Sequence, residues 1–369
     1  MPSEAPTPDL AGPTAMPTDP ASPNRRRRRR VKGAVAIVVV LLLVAAAAVA
    51  TLLWYGDRQI GTLDVETQIP GDTDGDGVVD APELRDVVNI LVAGSDSRDD
   101  LTADQRQELG TGDFEGVRTD TVMVVQMDPR REGPAVLSLP RDLLVERCDG
   151  SQGRINGAYE IGAATDVGGP TCLVRTVQTL TGIPIHHYVE LDFQGFVDVV
   201  DAMGGVDLCL GRPISDEDAN IDLPAGCQTL NGPEALGFVR VRNIDSDLGR
   251  ISRQQRFLAA VADQVTSPRM AVQPGRLLRL IETGAQAVEA DHGLSIGFMR
   301  RIAATFSGAT ADTIDMRTVP AVDETIDGVA YLVPDPKPAE ELFAAFRSAQ
   351  APPEGVGVDR NRDITDPES

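Results

Sequence analysis

Charged residues recur in short ordered clusters between residues 94 and 255 of this 369-residue chain. The clusters read GSDSR (94–98), RTDT (118–121), PRD (140–142), RIN (154–156), VRVR (239–242) and DLGRISRQQ (247–255). Arginines interleaved with strand-like apolar runs need an anion to meet, because a buried guanidinium without a partner is costly. The anion that suits several planar guanidinium forks is a phosphate or diphosphate. Asp96 follows one apolar run and Asp120 precedes another. Two carboxylates at strand ends can share one magnesium or manganese ion and leave coordination positions for phosphate oxygens. Taken singly, each aspartate is equally good turn or cap chemistry, and the arginines could pair with carboxylates of the chain itself.

The elements that would position these residues follow from periodicity. VVNILVAG (87–94), TVMVVQM (121–127) and AVLSL (135–139) are continuous apolar runs and predict buried strands. Residues 99–116 are polar and read as a loop inserted between the first two strands. VQTLTG ends a helix, HHYVEL (186–191) is a strand, 193–205 a helix closed by two glycines, and VDLCL (206–210) a strand. ALGFVRVR (235–242) predicts a further strand, with Arg240 and Arg242 alternating onto one face. A long helix covers about 249–265, placing Arg250 and Gln254 one turn apart, with Ile251, Leu258, Val261 and Val265 on one apolar stripe. Residues 272–348 complete the same domain. Strands alternating with helices predict an α/β class: one α/β/α layered domain with a mixed central sheet.

The N-terminal part is of another kind. Residues 1–32 hold a Pro- and Ala-rich stretch followed by Arg25–Arg30 and Lys32, and 33–55 contain no charged residue. That run is long enough for a transmembrane helix, and Trp54 and Tyr55 close it as an interfacial pair. The basic flank puts the N-terminus in the cytoplasm and everything after Tyr55 outside, giving a single-pass protein of the cell membrane. Residues 56–86 read as a stalk, 87–348 as the catalytic domain and 349–369 as a disordered tail. Within the stalk, Asp72, Asp74, Asp76, Asp80 and Glu83, with Gly77, have the spacing of a calcium loop. Pro70 and Gly71 block an entering helix, so an acidic linker stays open as the alternative.

The whole chain carries 34 basic and 56 acidic residues, a net charge of −22. That excess argues against nucleic acid as a partner. Four cysteines, all beyond the apolar run, suit disulfides in an oxidising compartment. The sequential pairing Cys148–Cys172 and Cys209–Cys227 closes the two shortest loops. GLSIG (293–297) matches the form of a nucleophile elbow, but EADHG before it does not read as a strand, so Ser295 is read as a helix cap. His186 and His187 are read as structural.

The series GSDSR, RTDT, PRD, RINGAY, DFQGFVDVVDAMGGVD, FVRVR and D-x-GR-x-x-RQQ resembles the LytR-CpsA-Psr family of bacterial cell-wall enzymes, from about Val87 to Val265. The resemblance implies a phosphotransferase that moves a glycopolymer from a polyprenyl diphosphate carrier onto peptidoglycan. It assigns Asp96 and Asp120 to magnesium, Arg118, Arg141, Arg240 and Arg242 to the diphosphate, and Asp247, Arg250 and Gln254 to the head group. Arg98, in the first cluster, joins the substrate-binding set. An apolar pocket would take the polyprenyl tail. Polyprenyl diphosphate hydrolysis and a non-catalytic envelope regulator are the rival readings. Asp142 and Asp247 are candidate bases by position alone.

Overall fold

In the computed structural model the described residues are 61–67, 87–96, 102, 105–106, 109, 119–241, 247–267, 273–294, 296–305 and 311–357. In chain order the elements begin β1 (Gly61–Leu63), β2 (Val88–Ser95), β3 (Thr119–Met127), β4 (Ala135–Leu139), β5 (Leu144–Glu146) and β6 (Gln152–Arg154). There follow α1 (Gly157–Ala163), α2 (Gly169–Thr181), β7 (His187–Leu191), α3 (Phe193–Met203), β8 (Val206–Leu210), β9 (Ile214–Asp216), β10 (Ile221–Leu223) and β11 (Gly226–Leu230). The last part holds α4 (Gly232–Arg240), α5 (Asp247–Thr266), α6 (Pro274–Ala287), β12 (Val288–Asp291), α7 (Ile296–Thr305), β13 (Asp315–Thr318), β14 (Ala321–Ile326), β15 (Val329–Pro334) and α8 (Pro336–Arg347).

Seven strands form a mixed sheet in the order β1-β12-β7-β2-β3-β4-β13. The β2–β7, β4–β13 and β1–β12 pairs are parallel, and β2–β3, β3–β4 and β7–β12 antiparallel. The continuous apolar strands are explained by burial on both faces. Leu91, Ala93, Val122 and Leu137 pack with Leu173 and Val177 of α2 and Leu342 and Phe346 of α8. Val88 and Ile90, alternate residues of β2, pack instead with Ala290 and Phe298. A third cluster joins α3, α4, β8 and Phe257 of α5. This is the expected layered α/β arrangement.

Local signals end the helices where the sequence places them. Asp192 caps α3, its Oδ1 accepting from Gly195 N at 2.7 Å, and Gly204 terminates it with φ 83°, a backbone conformation that favours glycine.

One element differs in type. Residues 235–240, expected as strand, complete helix α4. Asn231 Oδ1 accepts from Glu234 N and Glu234 Oε2 from Asn231 N, both at 3.0 Å, and proline stands in the first turn. This capping box outweighs the short VRVR alternation, which straddles the helix end. Arg240 and Arg242 therefore do not share a strand face: Arg240 closes α4, and Arg242 lies outside the described residues.

Three smaller differences concern boundaries. Gly61–Leu63, expected in the stalk, pair with β12 as a sheet edge. The tail expected from 349 is held as far as Gly357: Thr318 N donates to Gly357 O at 2.7 Å and Arg317 Nη1 to Val356 O at 2.9 Å. The EAD of EADHG is strand β12, ahead of helix α7, although Ser295 itself lies outside the described residues.

The anchor at 33–55 and the calcium-loop residues Asp72, Asp74, Asp76, Asp80 and Glu83 also lie outside the described residues. Among those described, no helix is long and apolar enough to cross a membrane. The cysteines stand at disulfide distance in the sequential pairing, Cys148 with Cys172 and Cys209 with Cys227, at Cα separations of 5.2 and 3.8 Å. Cys209 and Cys227 face each other in the β8–β11 register.

Candidate active site

A cavity of about 420 Å³ lies beside the ends of β2, β3 and β7, walled by α3, α4 and α5. Most of its wall is apolar: Val92, Met123, Leu191, Phe193, Phe196, Val199, Met203, Leu236, Val239, Phe257, Leu258 and Val261. Into that wall are set Ser95, Asp120, Thr121, Asp192, Asp216, Asp218, Arg240, Arg250 and Gln254. An apolar cavity of a few hundred Å³ with a few converging polar groups is the form of a small-molecule site.

The polar groups are joined. Gln254 Nε2 donates to Thr121 Oγ1 at 3.0 Å and reaches Val239 O at 3.4 Å. Asp120 is Thr121's neighbour, and its Oδ1 accepts from Arg141 Nη1 at 2.9 Å. Arg250 stands one turn before Gln254 on α5 and is 3 % exposed. Arg240 Nη1 donates to Leu109 O at 2.7 Å, and its guanidinium lies 4.6 Å from the centre of the Phe193 ring. A cation stacked on an aromatic face in an apolar wall keeps its charge at small cost.

The backbone explains why Asp120 is aimed here. Gly94 pairs with Thr121 while Ser95 pairs with Thr119, so Asp120 is the extra residue of a β-bulge. Bulges re-aim side chains at sheet rims. Asp96 directly follows β2 on the adjoining strand and is 8 % exposed. Two carboxylates at neighbouring strand ends are a donor set suited to magnesium, which keeps waters and takes few protein ligands. Among the described residues no group of three or more His, Cys, Asp or Glu stands together as a metal cluster.

Asp120, Arg141, Arg240, Arg250 and Gln254 thus converge, with Asp96 beside them. Arg98, Arg118 and Arg242 lie outside the described residues, and for Asp247 only the backbone, which opens α5, is described. Asp142, a candidate base, lies between Arg141 Nε at 3.5 Å and Arg154 Nε at 3.2 Å. His186 accepts from Asn89 N through Nδ1 at 2.9 Å, and His187 meets Asp291 at 3.2 Å inside the core; both are structural.

Two groups were not singled out by sequence. Arg253 is wholly buried, and its Nη2 donates to Val241 O at 2.6 Å, fixing the backbone just before Arg242. The three-residue spacing from Arg250 was the available signal. Glu190, on β7, is 6 % exposed, and its Oε2 accepts from Tyr188 OH at 2.8 Å. Burial pushes the Glu190 carboxyl above the usual range, against the hydrogen bonds that lower it, and burial also pushes the Tyr188 and Tyr159 hydroxyls up. A glutamate alternating with strand residues carries no sequence sign that it points into a core.

A match to the LytR_cpsA_psr family spans residues 61–348. The chain belongs to that family. It is 38% identical over 264 residues to the probable cell wall biosynthesis protein LcpB of Corynebacterium glutamicum, covering 70% of this chain and 61% of LcpB. It is 31% identical over 251 residues to the polyisoprenyl-teichoic acid–peptidoglycan teichoic acid transferase TagU of Oceanobacillus iheyensis, covering 68% of this chain and 72% of TagU. The chain thus spans less than two thirds of the LcpB length. The crystal structure of Bacillus subtilis TagV superposes with a TM-score of 0.59 at 28% identity, over 73% of this chain and 99% of TagV. The mixed central sheet is therefore the family's fold.

Proposed function

We propose that this protein is a membrane-anchored phosphotransferase that moves a glycopolymer from a polyprenyl diphosphate carrier onto peptidoglycan, with magnesium or manganese as cofactor. The observation that carries the proposal is the apolar cavity into whose wall Asp120, Arg240, Arg250 and Gln254 are set. An isoprenoid tail matches the apolar wall, and a diphosphate matches the arginines. The family relationship, and relatives named as transferases to peptidoglycan, point the same way.

Phosphoryl transfer asks a protein for positioning and charge neutralisation more than for covalent chemistry. Arg240 and Arg250, held in an apolar wall, would stabilise charge building on the diphosphate oxygens more strongly than they could in water. Arg141, already against Asp120, stands where it can share that load. Asp96 and Asp120 would hold the metal, which supplies Lewis-acid neutralisation of the diphosphate. Gln254, tied to Thr121, would orient the phosphate next to the sugar. The acceptor hydroxyl of the muramic acid would attack the phosphorus bearing the glycan; its O–P bond forms as the bond to the lipid phosphate breaks, prenyl phosphate leaves, and the hydroxyl proton passes to a carboxylate, for which Asp142 and Asp247 are the candidates by position. The cysteine pairs fit an extracytoplasmic domain cross-linked by two disulfides, and the 72–83 loop fits a structural calcium ion.

The test supplies the full chain with a prenyl diphosphate-linked saccharide, magnesium and a soluble peptidoglycan fragment, with mass spectrometry of the products. A phosphodiester joining saccharide to fragment supports the proposal. Release of free saccharide phosphate with water as the only acceptor makes the protein a hydrolase, and no product at all makes it neither.

A further inference from the structure

The β14–β15 hairpin carries its apolar side chains on the wrong face for an ordinary surface hairpin. Pairing joins Val322 with Val333, Glu324 with Tyr331 and Ile326 with Val329, so these six share one face. On the other face Leu332 enters the main core. On the six-residue face Val322, Glu324 and Val329 are exposed while Ile326, Tyr331 and Val333 are half-buried, and Glu324 is its one charged residue. Val322 is 53 % and Val329 42 % exposed, two of the three large apolar residues exposed among those described. An antiparallel ribbon with one face on the core normally presents polar residues on the other, and a contiguous exposed apolar patch marks an interaction site.

This face is wired to the candidate active site. Asp120 on the cavity wall meets Arg141 at 2.9 Å, Arg141 meets Asp142 at 3.5 Å, and Asp142 meets Arg154 at 3.2 Å. Arg154 Nη2 donates to Ala330 O at 2.8 Å, and its guanidinium lies 5.8 Å from the Tyr331 ring centre. Leu332 N donates to Asp142 O at 3.0 Å, fixing the hairpin beside the PRD turn. A chain of ion pairs thus leads from the cavity wall to the edge of the apolar face. The donor's lipid takes the cavity, so the acceptor must approach the same phosphate from another side.

We propose that the outward face of this hairpin is the docking subsite for the acceptor glycan, an N-acetylated aminosugar chain whose pyranose faces lie on Val322, Tyr331 and Val333. The inference rests on the phosphotransferase reading and adds the place of its acceptor. Sugar rings present apolar C–H faces that suit an aromatic ring flanked by aliphatic groups, while Arg154, 40 % exposed, can donate to the sugars' acetamido carbonyls, which carry no charge. Charge favours this occupant over an anionic lipid surface, since Asp323, Glu324 and Asp327 surround the hairpin tip and would be repelled by it.

The experiment titrates the full chain, in detergent, with a tetrasaccharide of alternating N-acetylglucosamine and N-acetylmuramic acid, and with farnesyl diphosphate plus magnesium. Tyr331→Ala and Val322→Asn weaken tetrasaccharide binding about tenfold or more, the size of a lost ring stack, and raise the acceptor KM with no change in farnesyl diphosphate affinity. Tyr331→Phe retains binding, and Thr325→Ala, on the opposite face, behaves as the parent. Unchanged tetrasaccharide affinity in folded Tyr331→Ala and Val322→Asn overturns the inference. So does hydrogen-exchange protection of 322–333 that arises from anionic nanodiscs or from self-association and not from the sugar. Failure of the parent to bind farnesyl diphosphate while sugar binding follows this pattern sinks the donor reading and leaves the hairpin assignment standing.

Discussion

Arg240 shows how one residue can be both structural and poised for an anion. Its guanidinium lies over Phe193, one donor is committed to Leu109 O, and the side chain still lines the cavity. Charge-assisted hydrogen bonds are worth about 1.5–3 kcal/mol each, so Arg240→Ala should weaken prenyl diphosphate binding by roughly ten- to a hundredfold. Asp120→Ala should cut transfer at least as far while the fold survives, because a bulge residue at the sheet rim supports no core. Circular dichroism beside an activity assay checks both. Glu190 offers a prediction of another kind. Burial raises its carboxyl above the ordinary value, so the folded state holds that proton to higher pH than the unfolded chain. Stability from this group is full at low pH and falls as pH climbs through the raised value. Glu190→Gln cannot ionise, so its Tm should gain on the parent as pH rises from about 4.5. A gap that stays constant with pH would show that Glu190 ionises as freely folded as unfolded.

At the scale of elements, α4 is the piece that delivers Arg240, and two positions hold it. Asn231→Ala breaks the capping box and should cost about 0.5–2 kcal/mol in thermal or urea unfolding. Gly237 tests packing against propensity. Alanine normally gains about 0.5–1 kcal/mol over glycine inside a helix. Here the added Cβ would stand 1.9 Å from Ile221 Cγ2 and 3.0 Å from Ala219 O. Overpacking of that kind costs about 1–3 kcal/mol, so Gly237→Ala should lower stability and, by shifting the helix end, weaken diphosphate binding as well. A stabilised Gly237→Ala would mean that β10 moves aside freely. The same helix marks the limit of reading the chain by pattern. The strands β2, β3 and β4 were legible because burial on both faces writes unbroken apolar runs, and β8 because it alternates buried and exposed residues. α4 was not, since four residues of VRVR alternation outshone a capping signal four residues upstream of Ala235. The bulge at Asp120 was invisible for a different reason: it is a property of the β2–β3 register, which no single strand encodes.

The molecule as a whole carries a net charge of −22. Arg240 and Arg250 nevertheless line one apolar cavity together with Asp120, Asp192, Asp216 and Asp218, and the ordered charge clusters in the sequence disclosed the two arginines and Asp120. The cavity walls came from aromatic and aliphatic residues of α3 and α5 whose helical spacing looks like any core stripe. Val261 lines the cavity while Val265, one turn on, is exposed. Cross-linking is the other whole-molecule feature. The cysteine pairs stand at disulfide distance across sequence separations of 24 and 18 residues, and a disulfide closing a loop of that size is worth about 3 kcal/mol by chain entropy. Replacing Cys209 and Cys227 by serine should lower the Tm under oxidising conditions, and the change should vanish when the parent is reduced.

In the proposed function these arginines and carboxylates grip a lipid-linked diphosphate at the cavity. Isothermal titration of the full chain with farnesyl diphosphate and with farnesyl monophosphate, each with and without magnesium, tests it most directly. The account predicts tighter binding of the diphosphate, a further gain on adding magnesium that Asp120→Ala abolishes, and a loss in Arg240→Ala. Equal affinity for the two lipids, unmoved by magnesium and by both substitutions, would contradict it.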